Sequence, residues 1–292
     1  CNQLSGGQLF PEQGGGGMSI LRKYSIGKNV ILLFAAAIML SPFYISFVYS
    51  MKTREQITFT GLKFPSEFHL ENFSQAVEAS NFYVVLKNSV ITTVPTVLLL
   101  IIICPMAAYV LARNTGKAYN IIYSLFLTAL LIPYQSVMLP QYMNLKQAGL
   151  LNTYMGAVMV RAAFNISFNI LLFTSFVKTV PIELEGAAMI DGAGMMKTFF
   201  RIVFPLLKSV LCTAVIINAL FSWNDFTITL NILMKEGMKT IPLMLYRFFG
   251  EYNVELNLAF AAFTRSRIPI LRLYLRLQRY IVEWVMSGAV KG

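Results

Sequence analysis

Apolar stretches long enough to cross a bilayer alternate with short polar connections along the 292-residue chain. A hydrocarbon core of roughly 30 Å takes about 20 helical residues. Residues 29–51, 88–112, 119–145, 154–177 and 203–230 meet that length, and a sixth stretch, 256–285, is long enough but carries several arginines. Lipid offers backbone N–H and C=O groups no partner, so these stretches predict helices, which pair those groups internally. Pro42, Pro95, Pro105, Pro133 and Pro140 fall inside them and predict kinks.

The polar connections set the orientation. Arg22, Lys23 and Lys28 precede the first stretch, Arg113 and Lys117 separate the second and third, and Lys178, Lys197, Arg201 and Lys208 lie between the fourth and fifth. In the alternate connections Lys52, Arg54 and Lys63 are offset by Glu55, Glu67, Glu71 and Glu78, Lys146 stands alone, and Lys235, Lys239 and Arg247 face Glu236, Glu251 and Glu255. Cytoplasmic loops hold the excess of lysine and arginine, so both termini are expected in the cytoplasm. The predicted fold is an all-α membrane protein of six transmembrane helices in the plasma or inner membrane of a bacterial-type cell. Residues 18–28 form its cytoplasmic N-terminal segment and 29–292 its transmembrane domain. Residues 1–17 are polar, end in four glycines and precede Met18; they read as a non-native or upstream leader.

Composition supports this division. Hydrophobic residues make up 57% of the chain and charged ones 13%, whereas about a quarter of a soluble domain is charged. The net charge of +11 would suggest nucleic acid on a soluble surface; here it marks cytoplasmic loops and anionic headgroups. The partner implied is the lipid bilayer, and no nucleic acid. Cys1, Cys104 and Cys212 are far apart, the latter two inside apolar runs, so neither a disulfide framework nor a metal site is expected. His69, the only histidine, lies in a polar segment without a second ligand nearby and reads as a surface residue. Leu4-Ser5-Gly6-Gly7-Gln8 matches the signature pentapeptide of ABC ATPases, but the chain has no Gly-rich P-loop followed by Lys-Ser/Thr. The match is read as chance.

The most informative connection is 179–209. Thr179 is placed to cap a helix with Pro181 in its first turn, and Glu183 and Glu185 then meet the positive end of its dipole. Leu184, Ala187, Ala188 and Asp191 recur at helical spacing and give one small-residue face, which Gly192 and Gly194 interrupt. A second amphipathic stretch, with Phe199, Ile202 and Phe204 among Lys197, Arg201 and Lys208, leads through Pro205 into the fifth helix. A short helix, a glycine turn and a re-entering helix make a knob that another protein can grip; an ordinary interfacial loop is the alternative.

The run Ala187-Ala188-Met189-Ile190-Asp191-Gly192-Ala193, with Phe199, Ile202 and Pro205 after it, resembles the "EAA" loop of binding-protein-dependent ABC importer permeases. Similarity to the carbohydrate group, and to the smaller maltose-type permease subunit, runs from about Lys28 to the C-terminus. It includes Ser222-Trp223-Asn224-Asp225-Phe226, Leu277-Gln278-Arg279-Tyr280-Ile281 and Ser287-Gly288-Ala289-Val290-Lys291-Gly292. The resemblance implies a type I importer permease fold and a coupling helix that docks in a cleft of a separate ATPase. It also implies a second permease subunit, two ABC ATPase subunits and an extracytoplasmic sugar-binding protein. No cofactor is expected on this chain, since ATP and Mg²⁺ are used by the ATPase, and the chain is not expected to be an enzyme. The chain departs from the family at Gly186, where the motif opens with glutamate. Glu185, one residue early, is turned about 100° around the helix, and Gly186 weakens that helix by roughly 1 kcal/mol relative to Ala.

Polar groups at membrane depth are the candidate substrate pathway. Asp225, with Trp223 and Asn224, is expected towards the outer end of the fifth helix and Asn218 deeper, supplying hydrogen bonds and an aromatic face for a sugar; an interfacial Trp with a helix-end carboxylate is the alternative. Arg161, Asn165 and Asn169 recur every four residues and share a face of the fourth helix, directed to the pathway or to neighbouring helices. In the sixth stretch Arg265, Arg272, Arg276 and Arg279 fall within about 60° of each other and Arg267 points elsewhere. Each central arginine costs about 2.5–3.5 kcal/mol on insertion, so these must face water or protein; their spacing is too irregular for a voltage sensor. The family has an apolar helix here in which Arg279 alone is expected, and Trp284 stands where it has glycine. The function expected is a sugar importer permease that forms half of the pathway. A permease for another small polar solute and an ion-coupled transporter are the alternatives.

Overall fold

The computed structural model describes residues 17–248 and 255–289, with side chains described for 27–246, 248 and 255–278. Residues 1–16, with Cys1 and the signature-like pentapeptide, lie outside the described residues, as do the side chains of Arg279 and Trp284.

Every regular element among the described residues is helical. A long first helix, α1 (Gly17–Ser50), is followed by two short ones, α2 (Arg54–Thr60) and α3 (Glu71–Ala79). Then come α4 (Phe82–Arg113), α5 (Lys117–Ala129), α6 (Tyr134–Gln147) and α7 (Tyr154–Val177). The connection 179–209 holds α8 (Ile182–Ile190), α9 (Met195–Thr198), a π-helical turn (Phe199–Val203) and α10 (Phe204–Leu206). The remainder is α11 (Lys208–Trp223), α12 (Thr227–Ile232), α13 (Ile241–Leu245), α14 (Leu256–Ser266) and α15 (Ile268–Ala289).

Three helices are long and apolar enough to cross a bilayer unaided: Gly27–Ser50 within α1, α4 and α7. Two more spans qualify only as bent pairs, α5 with α6 at 103° and Met195–Leu206 with α11 at 76°. Prolines explain the bends. Pro133 begins α6 in extended backbone and disfavours helix in the residue before it, while Pro205 sits inside α10 after the π turn. The third expected stretch is therefore broken, and the fifth ends at Trp223 instead of residue 230. The sixth divides at Arg267 into α14 and α15 and, by length and composition, is not among the helices or bent pairs that qualify as spans. Arg265, Arg267, Arg272 and Arg276 lower its apolarity, and Pro269 sits in the first turn of α15, where a missing N–H is tolerated.

α4 and α7 pack extensively on each other, and the π-helical turn and α11 close on them around Leu100, Ala108, Ala162, Ile170, Phe173, Val203 and Ala214. Small residues let the backbones approach, the usual basis of helix packing in lipid. α1 packs on α14 and leaves Val30, Ile31, Leu32, Leu33, Phe34 and Met39 more than half exposed. An apolar helix exposed in this way fits lipid or a second membrane chain.

Polar knots close the end that holds α2 and α3. The buried Lys52 ammonium donates to Thr60 Oγ1 (2.7 Å) and the Gly61 carbonyl (2.8 Å), and Asn72 donates to the carbonyls of Ser50 and Lys52. Asn88 donates to the carbonyls of Gly237 and Lys239 and accepts from Tyr154 Oη, joining the starts of α4 and α7 to the loop before α13.

Candidate coupling and translocation sites

The connection 179–209 is a knob fixed from below. Thr179 does not cap α8; its hydroxyl donates to the Phe176 carbonyl, and Pro181 occupies the cap position. α8 stops at Ile190, and Gly192 turns the chain with φ +77°, a left-handed conformation that glycine adopts without steric cost.

The buried face of α8 is Glu185 with Ala188, not the stripe through Leu184 and Ala187. Glu185 points into the protein. Its carboxylate accepts from Arg113 Nε (2.8 Å) and Nη2 (2.6 Å) and from Tyr109 Oη (2.8 Å), while Arg113 Nη2 also donates to the Val180 carbonyl. Tyr109 in turn packs against Phe199 with ring centroids 5.3 Å apart. α8, α4 and the re-entering segment are thus pinned together by one carboxylate. A buried carboxylate with two guanidinium N–H groups on Oε1 and a phenol on Oε2 is strong where a bare buried charge would be costly.

Glu183, Gly186, Ala187, Asp191 and Gly192 are exposed and Ala193 is half-buried. Between them the outer surface shows Ile182, Leu184, Met189 and Ile190, the last 89% exposed. Gly186 borders a groove of about 340 Å³ lined also by Tyr109, Arg113, Glu185 and Met189, and a Cβ placed on it would meet nothing within 4 Å.

The candidate pathway residues separate into three places. Asn169 and Asn218 are buried and pair reciprocally, amide to amide, at 2.9 and 2.8 Å, binding α7 to α11. Arg161, 1% exposed, donates through Nε and Nη2 to Asp225 Oδ2 at 3.1 and 3.0 Å and also to Ser222 and Thr229. Asp225 accepts as well from the amides of Ile228 and Thr229 at the start of α12. Asp225 is therefore not grouped with Trp223 and Asn224. It lies beyond the end of α11 and turns towards α7, where the Arg161 guanidinium meets it. The half-buried Asn165 donates to the Arg161 carbonyl. Trp223 and Asn224 instead wall a cavity of about 270 Å³ between α11, α13, α14 and α15.

Sequence reasoning did not single out Tyr109, Thr229 or Asn88, and it had Arg113 only as a loop charge and Ser222 only as part of a motif. Tyr109 and Arg113 stand four apart on one helix face, a legible signal; the partners of Arg161 come from over 60 residues away and left none. His69 contacts Glu71, Nδ1 to Oε1 at 2.6 Å. Among the described residues no cluster of metal-ligating side chains forms.

Residues 84–286 match a family model described as binding-protein-dependent transport system inner membrane component. The chain is 36% identical over 268 residues to the melibiose/raffinose/stachyose import permease protein MelC of Bacillus subtilis (strain 168), covering 90% of this chain and 97% of MelC. It is 32% identical over 280 residues to the probable starch degradation products transport system permease protein AmyC of Thermoanaerobacterium thermosulfurigenes, covering 93% and 100%. To the multiple sugar-binding transport system permease protein MsmG of Streptococcus mutans it is 34% identical over 268 residues, covering 90% and 96%. Its fold is similar, with TM-score 0.75, 22% identity and 89% and 96% coverage, to a bacterial ABC transporter involved in the import of the acidic polysaccharide alginate.

Proposed function

The chain belongs to the family of binding-protein-dependent transport system inner membrane components, and from that premise we propose that it is a permease subunit of an ATP-driven importer of mono- or oligosaccharides in a bacterial cell membrane. The sugar class is supported by relatives whose names specify saccharides.

In this reading residues 29–292 form the transmembrane domain with six crossings, α14 and α15 together making the last. Both termini are cytoplasmic and 179–209 faces the cytoplasm. A second, similar permease subunit lies against the exposed apolar faces and completes the pathway. An extracytoplasmic sugar-binding protein delivers substrate, and two ABC ATPase subunits bind ATP and Mg²⁺, so the chain needs no cofactor of its own. The cavity opens outward when ATP is bound and inward after release.

The observation that carries the coupling role is the two-sidedness of α8. One side is locked to α4 through Glu185, Arg113 and Tyr109. The other presents Ile182, Leu184, Met189 and Ile190, a surface suited to a protein cleft. A push on α8 then moves α4 as one body. Asp225, the strongest intramembrane carboxylate, is already engaged by Arg161, which argues against ion coupling. Purification of the tagged chain from its membrane is expected to bring down an ABC ATPase, and vesicles are expected to take up sugar only with ATP. Uptake by the chain alone, driven by an ion gradient, would refute the reading.

A further inference from the structure

We propose that this chain holds a subsite for an acidic sugar, with the Arg267 guanidinium pairing the carboxylate of a uronate ring. The inference rests on the sugar-permease reading above and narrows its substrate class.

Arg267 stands at the break between α14 and α15 and lines the same cavity of about 270 Å³ as Trp223, Asn224, Pro242, Phe263 and Ser266. Its guanidinium carbon lies 3.7 Å from the Phe263 ring centroid and 5.0 Å from that of Phe43. Two aromatic faces therefore fix the plane of the group without using its N–H donors. Among the described residues no carboxylate pairs with it, in contrast to Arg113 and Arg161, each of which meets one. A half-buried, oriented guanidinium with free edges is matched by a planar oxyanion that accepts two parallel hydrogen bonds. The rest of the wall selects the carrier of that anion. Trp223 offers an apolar wall for the C–H side of a pyranose ring, and Asn224, whose Nδ2 donates to the Leu220 carbonyl, keeps its Oδ1 for a hydroxyl; Ser266 is buried with its own hydroxyl donated to the Phe263 carbonyl and only bounds the space. The volume is at the small end of ligand sites and suits one ring, so a longer chain would be read one residue at a time. Trp223 closes the end of α11 remote from α8, the side from which a binding protein delivers.

The test uses the complete importer in proteoliposomes, comparing ATP-driven uptake of digalacturonate with that of a neutral digalactoside for wild type, Arg267→Gln and Arg267→Lys. The binding protein is the same throughout, so the ratio of charged to neutral uptake isolates the permease. Losing hydrogen bonds to a charged group lowers that ratio by about ten- to a hundredfold in Arg267→Gln, while Arg267→Lys retains most of it and neutral uptake shows that the variants fold. An unchanged ratio, or wild-type uptake of the neutral sugar alone, overturns the acidic subsite and leaves the sugar importer standing. A defect that follows the anionic-lipid content of the vesicles assigns Arg267 to a headgroup and overturns it too. Absence of ATP-driven uptake of either sugar overturns both readings.

Discussion

Gly156 and Gly186 look alike in the sequence, each a glycine inside a helix, yet their surroundings oppose them. A Cβ on Gly156 would lie 2.3 Å from the Leu150 carbonyl oxygen, a backbone atom that cannot swing aside, so the start of α7 approaches the preceding turn only because no side chain is there. Overpacking of this kind costs about 1–3 kcal/mol, and Gly156→Ala is expected to lower the thermal midpoint of the purified protein. Gly186→Ala meets open space and removes a helix-weakening residue worth about 1 kcal/mol. Amide exchange within α8 is expected to slow by about fivefold, with the global midpoint nearly unchanged. Neither difference was legible from residue type. Residue-scale reading did place positions 185 and 186 on different sides of α8, and the structure has Glu185 buried and Gly186 exposed. The 100° turn between them carries Glu185 to the inner side of α8, where Arg113 receives it.

At the scale of elements, α8 and α4 behave as one piece because a single buried carboxylate joins them. Removing one partner of a buried, hydrogen-bonded ion pair costs about 3–5 kcal/mol, enough to free α8 while the rest of the bundle stands. Glu185→Gln is expected to leave assembly with the ATPase intact and ATP hydrolysis running, while sugar uptake per ATP hydrolysed falls steeply; Arg113→Gln should do the same. Uptake at the wild-type ratio would show that α8 transmits motion by another route. The existence of most elements was legible, since apolar length alone marks α1, α4 and α7. Their ends and bends were not. The expected capping by Thr179 failed because its hydroxyl had a nearer acceptor in the last turn of α7. The kink expected at Pro133 is a bend of 103°, and a bend of 76° that was not expected lies just after Pro205, since an N-cap proline and a π turn interrupt the helices outright.

Over the whole molecule the sequence located polar groups but not their pairings, which depend on contacts between distant helices. Arg161 and Asp225 are one example. Asp225→Asn leaves the 1%-exposed arginine with a weaker partner and is expected to reduce the amount of protein in the membrane severalfold, read by quantitative immunoblot. Replacing both, as Arg161→Met with Asp225→Leu, is expected to restore most of it, because a buried ion pair exchanged for apolar groups is often neutral; failure of the double variant would assign the pair a further role. The same pair also constrains synthesis. Arg161 leaves the ribosome 64 residues ahead of Asp225, a delay of about 3–13 s at about 5–20 residues per second. Through that interval α7 carries an uncompensated charge worth about 2.5–3.5 kcal/mol against insertion. α7 is nonetheless apolar enough to cross unaided, so it enters the lipid with a cost that is offset only later, when the segment after α11 brings Asp225 to Arg161.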